Sequence, residues 1–470
     1  MSETGPMATI DHAPRSAVVK ADQSIIAGQT ASGDAIRVRG GQPLSGEIRI
    51  GGSKNLGLPA LTAALLTDEP CVFENMPAIE DTRTMLRLLR ELGAAVSPDP
   101  TGPAFFDELR AKRRVHVQAS SVVSGDISRH LGQAMRASIL LMGPLLARHG
   151  KVLTVLAGGD DIGARPIDVT IRGFVAMGAQ VEQLADGRKA LTCDRLEGKQ
   201  LFLDYPTHTG TENLLMAAVL ASGTTTIVNA ACEPEIIAFG TMLNRMGADI
   251  RGLGTPIITI HGVNKLHGAY ERIMPDRLVA GTYAIAAVIT RGELMIKGVN
   301  GADLLPVTFK LREAGATVLV DDETLFVRGP DRLRPLDIQA LPYPGFPTDQ
   351  QAVMSVLLTQ CHGVSRLHER VYEDRLRYIQ DLQSMGADIR VDPKGVQAEF
   401  SGPSRLRGAT VPARDIRAGA AVVLAGLIAE GDTIVTDVHH LNRGYEDLVP
   451  TLKRVGADIT SVSSPALSST

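Results

Sequence analysis

The sequence predicts an α/β protein built from six copies of a unit of about 70 residues, arranged as two groups of three. The first observation behind this fold class is an apolar helical pattern that ends in Gly-Ala and recurs six times, for example over 88–94 and 452–457. The second is a helix rich in small residues and apolar on nearly every face, as over 215–223 and 421–431, which predicts buried helices. The third is the length of 470 residues. A chain of this length is too long to fold around one ordinary hydrophobic core, so two large domains are predicted.

A glycine at the end of each predicted helix marks the six repeats. Glycine there suits a helix C′ position with positive φ, after which a strand begins. The glycines are Gly93, Gly178, Gly247, Gly315, Gly386 and Gly456, and the successive differences between their sequence numbers are 85, 69, 68, 71 and 70. The first difference exceeds the second by 85 − 69 = 16, which predicts an inserted, mobile active-site loop in that interval.

The chain ends and the composition limit the function classes. Residues 1–34 and 461–470 are rich in small and polar residues without periodicity and are predicted to be disordered tails. The net charge of −4 and the pI of about 6.3 argue against a nucleic-acid partner. No apolar run is long enough to span a bilayer and no signal peptide opens the chain, so we expect a cytoplasmic protein without a membrane partner.

The segment 157–168 is the stretch where chemistry is predicted. Two carboxylates, Asp160 and Asp161, lie in a glycine-rich bend that is followed by Arg165 and Pro166. Such a loop can bring an acid and a cation to one point, as proton transfer beside a phosphate or carboxylate requires. The alternatives are a solvated turn that caps the helix opened by Pro166, and a metal site on the two aspartates. Because no third ligand is suitably spaced, no metal is predicted.

Nine short motifs occur in the order in which one enzyme family carries them. They are Gly52-Ser53-Lys54-Asn55, Arg136-Ala137-Ser138, the glycine-rich segment above, Thr211-Glu212-Asn213, Glu233-Pro234-Glu235, Pro275-Asp276-Arg277, Phe346-Pro347-Thr348-Asp349, Asp415-Ile416-Arg417 and Asn442-Arg443-Gly444-Tyr445-Glu446. On these motifs the chain resembles the enolpyruvyl transferase family over roughly residues 36–460. The resemblance implies a two-domain inside-out α/β barrel with three βαβαββ units per domain. It also implies that one domain comprises residues 53–274 and the other residues 36–52 plus 275–460.

The resemblance implies a reaction and its partners. The enolpyruvyl group of phosphoenolpyruvate would move to the 3-hydroxyl of UDP-N-acetylglucosamine, with release of phosphate, in peptidoglycan precursor synthesis. The partners are thus two small molecules, phosphoenolpyruvate and a UDP-sugar, and no cofactor is implied. The oligomeric state implied is a monomer or a weak homo-oligomer.

The resemblance also implies the residues of the site. The donor-binding residues are Lys54, Asn55, Arg136, Arg165, Arg375, Arg417 and Arg443. The acceptor-binding residues are Asn55, Arg136, Arg165, Pro166, Ile167, Asp168, Val169, Thr207, Thr209, Asp349 and Val371. The catalytic residues are Lys54, Asp160, Asp349, Asp415 and Arg417. Asp349 matches the candidate base toward the acceptor hydroxyl, and its alternative role is to cap a helix. Which cation holds phosphate and which holds carboxylate stays open.

Asp160 departs from the family pattern, because most bacterial members carry a cysteine there. A carboxyl group can donate the same proton only if it is held protonated, by burial or by neighbouring acids such as Asp415. The resemblance then implies insensitivity to the epoxide fosfomycin, which inhibits members of the family by alkylating the loop cysteine. Asp161 is the second candidate for the proton donor.

The acceptor side departs from the family pattern as well. His208 and Thr209 stand where valine and glycine are common, and Val279 stands where an acidic residue is usual. The donor chemistry is therefore better supported by the motifs than the identity of the acceptor. Two alternatives remain at this point: the same transfer to another acceptor, such as a nucleotide in specialised metabolism, and a non-catalytic anion-binding paralogue.

Overall fold

Two hydrophobic cores form the interior of the molecule. The computed structural model describes residues 34–122, 125–154, 158–160, 162–163 and 167–463. One core is built from residues between 56 and 273, and the other from residues 36–50 together with residues between 280 and 459. We call residues 53–274 the first half, and residues 34–52 plus 275–463 the second half. The domain bounds implied by the family resemblance stay a prediction.

Strands and helices alternate along the chain. The strands are β1 (Asp34–Arg39), β2 (Ser45–Arg49), β3 (Cys71–Glu74), β4 (Ala95–Ser97), β5 (Arg114–Gln118), β6 (Lys151–Thr154), β7 (Gln180–Gln183), β8 (Lys189–Thr192), β9 (Gln200–Phe202), β10 (Thr224–Val228), β11 (Asp249–Arg251), β12 (Ile257–His261), β13 (Tyr270–Arg272), β14 (Glu293–Lys297), β15 (Thr317–Asp321), β16 (Thr324–Arg328), β17 (Asp337–Ala340), β18 (Gly363–Glu369), β19 (Ile389–Val391), β20 (Gln397–Gly402), β21 (Thr410–Pro412), β22 (Asp432–Thr436) and β23 (Asp458–Ser463). The α-helices are α1 (Lys54–Ala63), α2 (Glu80–Glu91), α3 (Phe105–Lys112), α4 (Arg129–Ala134), α5 (Met142–His149), α6 (Asp168–Ala176), α7 (His208–Ala218), α8 (Pro234–Arg245), α9 (Arg277–Ile289), α10 (Leu305–Ala314), α11 (Thr348–Leu358), α12 (Ile379–Ser384), α13 (Ile416–Gly426), α14 (His439–Asn442) and α15 (Leu448–Arg454).

The six predicted units each form a sheet of their own in the described structure. Five sheets have four strands, and β9-α7-β10-α8-β11-β12 shows their common order: β9 is parallel to β10, and the other pairs are antiparallel. Ile227 of β10 lies opposite Leu201 on one side and Ile258 on the other. All six marker glycines have φ between 101° and 106°, as predicted for helix C′ positions. These observations confirm the α/β class and the six-unit pattern.

The unit that contains the glycine-rich segment is the incomplete one. Its sheet has only three strands among the described residues, in the order β6-β8-β7. Where the other units have a parallel first strand, a single bridge joins Asp126 to Leu153. The segment 155–167 therefore follows the least regular sheet of the molecule.

The helices that begin at the cleft are buried, and the sheets lie outside them. Helix α11 packs against α9 and α13 in the second half, and α7 packs against α5 and α6 in the first. Helix α13 is rich in alanine and glycine and has every residue buried, which explains why its sequence is apolar on all faces. Close helix packing of this kind requires small side chains.

The chain passes between the halves at two adjacent strands. Gly52 forms a β-bridge with Pro275, the amide of Ser53 donates to the carbonyl of Met274 over 2.7 Å, and the amide of Asp276 donates to the carbonyl of Gly51 over 2.9 Å. A Cβ on Gly52 would lie 1.8 Å from the carbonyl oxygen of Asn75, so this position requires glycine.

The 16 extra residues between Gly93 and Gly178 are divided between two connections. The connection between β4 and β5 runs from 98 to 113 and is more than three times as long as the matching connection, which runs from 184 to 188. The segment 155–167 is more than twice as long as its counterpart 229–233. The larger share therefore lies in the connection that forms helix α3, which the prediction of a single inserted loop did not include.

The first and last strands extend slightly into the segments that were predicted to be disordered tails. Asp34 begins β1, and residues 461–463 complete β23, because these two strands pair antiparallel and satisfy each other's backbone groups. The rest of the predicted tails, residues 1–33 and 464–470, lies outside the described residues. No helix in the described part of the chain is long and apolar enough to cross a membrane.

Candidate active site

The first turns of buried helices line a cleft between the two halves. Lys54 begins α1, Thr209 lies in the first turn of α7, Arg277 begins α9, and Asp349 and Arg417 are the second residues of α11 and α13. A helix N-terminus carries a partial positive charge and unpaired N–H groups. A cavity of about 250 Å³ bounded by such ends suits an anionic ligand.

A chain of ion pairs crosses the cleft at its donor end. Asp81 accepts from Lys54 Nζ, 2.6 Å from Oδ2, and from Arg443 Nε, 3.0 Å from Oδ1. Arg443 comes from the second half, and its NH1 also donates to Asp160 Oδ1 over 2.8 Å. Burial alone would raise the pKa of Asp81, but Arg443 and Lys54 outweigh it and hold that pKa below its usual value. Asp81 is therefore an ionised anchor for two cations.

A second ionic cluster surrounds Asp349. Its two carboxylate oxygens accept from Arg375 NH2 over 2.6 Å and from Arg417 NH2 over 3.4 Å. Burial opposes ionisation, but Arg375 and then Arg417 overcome it and hold the pKa of Asp349 well below its usual range. Asp349 makes no capping bond to its helix, which begins after Pro347, so the alternative role as a helix cap is not what the structure shows.

Asp415 caps helix α13 and faces the glycine-rich segment. Its carboxylate accepts from the amides of Arg417 and Ala418 over 2.7 and 2.9 Å. Burial raises the pKa of Asp415, and the negative charge of Asp160 raises it further. The Arg443 contact, in contrast, favours the carboxylate form of Asp160. Two acids thus share one region, and their mutual repulsion contributes to the raised pKa of Asp415.

The glycines before Asp160 let the backbone touch the neighbouring turn. A Cβ on Gly158 would lie 1.8 Å from the carbonyl oxygen of Gln133, and one on Gly159, where φ is +112°, would lie 3.0 Å from the Arg136 Cβ. Only glycine permits this approach. The contact fixes Asp160 beside Arg136, which begins the 3-10 helix Arg136–Leu141.

The acceptor end of the cleft contains an ion pair that the sequence did not predict. His208 Nδ1 lies 3.4 Å from Glu212 Oε1, one helical turn further along α7. Burial would lower the pKa of His208, but Glu212, followed by Glu233 and Glu235, raises it to about 10. Arg277 donates from Nε to both oxygens of Glu235, 2.9 and 3.1 Å away. This wall therefore contains two cations among three buried or half-buried glutamates.

The structure brings most of the predicted residues together. The predicted residues that line the cleft are Lys54, Asn55, Arg136, Asp160, Thr207, Thr209, Asp349, Val371, Arg375, Arg417 and Arg443. The cleft lining does not include Ile167, Asp168, Val169 or the predicted catalytic residue Asp415. Asp168 instead forms an exposed pair with Arg172 over 3.3 Å, and Asp415 caps α13. Arg165, Pro166 and Asp161 lie outside the described residues. Among the residues that are described, no group of three or more His, Cys, Asp or Glu could hold a metal.

Asp81 is the main lining residue that sequence reasoning missed. It belongs to no quoted motif, and its side chain is buried next to Lys54 and Arg443. A signal was present, because Asp81 stands one helical turn before the buried Met85 on the apolar face of α2. An acid on such a face requires a partner, although the sequence does not say which one.

Comparison with known proteins finds relatives that match nearly the whole chain. A sequence profile of the family described as EPSP synthase (3-phosphoshikimate 1-carboxyvinyltransferase) matches residues 38–452. The chain is 42% identical over 431 residues to the UDP-N-acetylglucosamine 1-carboxyvinyltransferase of Finegoldia magna. It is 45% identical over 427 residues to the enzyme of the same name from Magnetococcus marinus. Each alignment covers 91% of this chain and 99% of the relative.

Solved structures share the fold. The enolpyruvyl transferase NikO from Streptomyces tendae superposes with a TM-score of 0.82 at 26% identity, covering 92% of this chain and 100% of that one. An EPSP synthase from Acinetobacter baumannii has a TM-score of 0.70 at 18% identity with the same coverage, a likeness that concerns the fold alone.

Proposed function

Because the chain belongs to the EPSP synthase family of enolpyruvyl transferases, we propose that it moves the enolpyruvyl group of phosphoenolpyruvate to the 3-hydroxyl of UDP-N-acetylglucosamine and releases phosphate. The enzyme class follows from the family, and the acceptor follows from relatives aligned over 91% of the chain. The reaction serves peptidoglycan precursor synthesis. A cytoplasmic location and a monomer or weak homo-oligomer remain part of this proposal.

One observation carries the donor half of the proposal. Five cations from five separate segments, Lys54, Arg136, Arg375, Arg417 and Arg443, line the cleft. Ion pairs join four of them to Asp81, Asp160 and Asp349. The lining also contains Arg277, a protonated His208, Glu212 and Glu233. The formal excess over the whole lining is therefore 7 − 5 = 2 positive charges, which suits a trianionic donor and a phosphate-bearing tetrahedral adduct. Arg165 would add a further cation, as the family resemblance implies.

Proton transfer requires an acid for the methylene carbon of the donor. Asp160 holds the family's position for this acid, and Asp415 is the neighbour whose pKa is raised by burial and by Asp160. A proton shared by the two carboxyl groups can be donated from Asp160 to the methylene carbon, and both groups are then left as carboxylates. Carbon 2 of the donor, made electrophilic by this protonation, accepts the acceptor oxygen. Loss of a methyl proton and of phosphate from the adduct then completes the transfer.

Asp349 is the proposed base toward the acceptor hydroxyl. Its low pKa in the free enzyme makes it a weak base, because Arg375 and Arg417 both hold its carboxylate. An anionic donor competes for these two guanidinium groups. Once they turn toward phosphate or carboxylate, Asp349 loses its partners and its basicity rises. Donor binding thereby prepares the base.

The second candidate function is the same transfer to a different acceptor. It is favoured by His208 and Thr209 in the acceptor wall and by the likeness to NikO, an enolpyruvyl transferase. The non-catalytic alternative is disfavoured because Lys54, Asp349 and Arg417 all line the cleft.

Phosphate release from phosphoenolpyruvate tests the proposal across a panel of acceptors. The panel contains UDP-N-acetylglucosamine, UDP-N-acetylgalactosamine, uridine monophosphate and shikimate 3-phosphate. We expect UDP-N-acetylglucosamine to give the highest kcat/KM. A higher value with another acceptor would support the second candidate, and no release with any acceptor would support the non-catalytic paralogue.

A further inference from the structure

Helix α3 has no role in the proposed reaction. It lies in the connection 98–113 between β4 and β5. Phe105 is buried and meets Phe106 edge-on with ring centres 5.1 Å apart, while the guanidinium groups of Arg83 and Arg110 lie 5.5 and 5.7 Å from the Phe106 ring. The contacts that attach the helix to the first half are the burial of Phe105 in its core and the stacking of Arg83, from α2, on the Phe106 ring.

The end of α3 reaches the second half through two ion pairs. Arg113 NH1 donates to Glu446 Oε1 over 2.8 Å, and its NH2 donates to Oε2 over 3.3 Å. One turn earlier, Arg110 NH2 lies 3.1 Å from Asp447 Oδ1. The Glu446 side chain is only 15% exposed and also accepts from the amide of Ala78. A bidentate, half-buried pair of this kind is stronger than an ordinary surface pair.

The two acids are close in sequence to Arg443, the cation that crosses the cleft. Glu446 and Asp447 stand three and four residues after Arg443, which holds Asp81 and Asp160. Tyr445 lies between Arg443 and Glu446 in the sequence, and its hydroxyl is 2.9 Å from Thr282 Oγ1 within the second half. The segment 443–447 is thus tied to the first half at both of its ends.

The Arg113–Glu446 pair also lies against Gly51, where the chain passes from one half to the other. A Cβ on Gly51 would be 2.8 Å from Arg113 NH2 and 3.2 Å from Glu446 Oε2. Gly51 precedes Gly52, which bridges Pro275. The Arg113–Glu446 pair therefore joins the two halves beside the point where the chain passes between them.

We propose that Arg113 and Glu446 are positioning residues that clamp the segment 443–447 to the first half and so hold Arg443 against Asp81 and Asp160. Without the clamp, the closed arrangement of the cleft is less populated. Substrate binding must then supply the closing free energy, so the apparent affinity falls in proportion to the fraction of enzyme that remains closed. At saturating substrate the cleft still closes, so turnover changes little. The kinetic readout rests on the proposed function.

The test compares Arg113→Ala, Glu446→Ala and the double variant with the control Arg114→Ala. Arg114 is the next residue, but its partner Glu74 lies in the same half. We expect Arg113→Ala and Glu446→Ala each to raise the KM for phosphoenolpyruvate about five- to tenfold with kcat within about twofold, and the double variant to resemble the single ones. The control should leave KM unchanged. An unchanged KM in Arg113→Ala, an equal rise in Arg114→Ala, or a fall in kcat at constant KM would overturn the proposal.

Hydrogen exchange separates failure of this inference from failure of the proposed function. In the substrate-free protein, Arg113→Ala should speed exchange of the amides in 443–447, whereas Arg114→Ala should not. This result is independent of any reaction. If the parent transfers nothing to UDP-N-acetylglucosamine, faster exchange in Arg113→Ala alone still supports the clamp. Equal exchange rates in the parent and Arg113→Ala would refute it.

Discussion

At the scale of single residues, Asp160 combines a contact that favours charge with a neighbour that disfavours it. Arg443 donates to its carboxylate over 2.8 Å, and Asp415 has a pKa raised by burial and by Asp160 itself. Two interacting acids titrate as a pair, so a proton bound at either carboxyl group belongs to both. That Asp160 is held protonated, by burial or by neighbouring acids such as Asp415, stays a prediction, and the raised pKa of Asp415 is the observation that supports it.

Substitution of Asp160 tests this acid. Asp160→Asn should lower kcat by about 10²-fold or more, since an amide cannot donate the proton. Asp160→Cys should keep substantial turnover, and it should become progressively inactivated by fosfomycin, because a thiolate is a far stronger nucleophile than a carboxylate. The parent should not lose activity during preincubation with the epoxide. A fully active Asn variant, or a parent that fosfomycin inactivates, would assign the acid to another residue, with Asp161 and Asp415 the next candidates.

His208 provides a stability prediction with a definite sign. Its pKa is raised to about 10, above the unfolded value of about 6.5, so protonated His208 contributes its full stabilisation below about pH 6.5 while Glu212, whose own pKa is raised by burial, stays ionised. The contribution is lost as the pH rises toward about 10. His208→Val, which introduces the residue common in the family, leaves Glu212 buried without its partner. It should lower the free energy of unfolding by about 2–3 kcal/mol near pH 6.

Urea unfolding at about pH 6 and about pH 10 measures this difference. The gap between parent and variant should shrink at the higher pH. The control is His267→Val, because His267 and Glu69 form an exposed pair 3.8 Å apart whose loss should change little at either pH. A gap in the His208→Val comparison that is equal at both values would show that packing, and not charge, is what the histidine contributes.

At the scale of elements, the glycine-rich segment depends on close backbone contact. Gly158→Ala would place a methyl group 1.8 Å from the carbonyl oxygen of Gln133, so the segment must move away. A displacement of about 1 Å can cost 10²-fold in rate, and we expect kcat to fall at least about tenfold. The thermal midpoint should change little, since the contact is local.

The matched control is Gly102→Ala, whose new methyl group would find its nearest neighbour at an ordinary 3.4 Å. Turnover of this control should equal that of the parent. If Gly158→Ala also turns over normally, the position of Asp160 does not depend on the contact with Gln133.

The elements also show which features the sequence could predict. The six helix-to-strand transitions were predictable because a glycine with positive φ follows each helix, and all six glycines have it. Helix α3 was not predicted, because it is short and only Phe105 and Leu109 among its eight residues are buried, so its apolar pattern is weak. Its ion pairs to Glu446 and Asp447 join residues more than 300 positions apart, which no local pattern records.

At the scale of the whole molecule, the site exists only because the chain folds back between two cores. Lys54 and Asp81 belong to the first half, while Arg417 and Arg443 belong to the second. Family motifs predicted eleven of the residues that line the cleft, but neither Asp81 nor the pairing of these residues. The pairs Lys54–Asp81 and Arg375–Asp349 depend on the spatial register of helix ends, and the sequence alone does not determine that register.

Identification of the reaction product tests the central claim most directly. The protein is incubated with phosphoenolpyruvate and UDP-N-acetylglucosamine, and the nucleotide-sugar product is examined by mass spectrometry and NMR. The account predicts a product heavier than the acceptor by one enolpyruvyl group, carried as an ether on the 3-hydroxyl of the sugar, with one phosphate released per product and almost none formed by Asp160→Asn. Recovery of unmodified UDP-N-acetylglucosamine, or an enolpyruvyl group at another position, would contradict it.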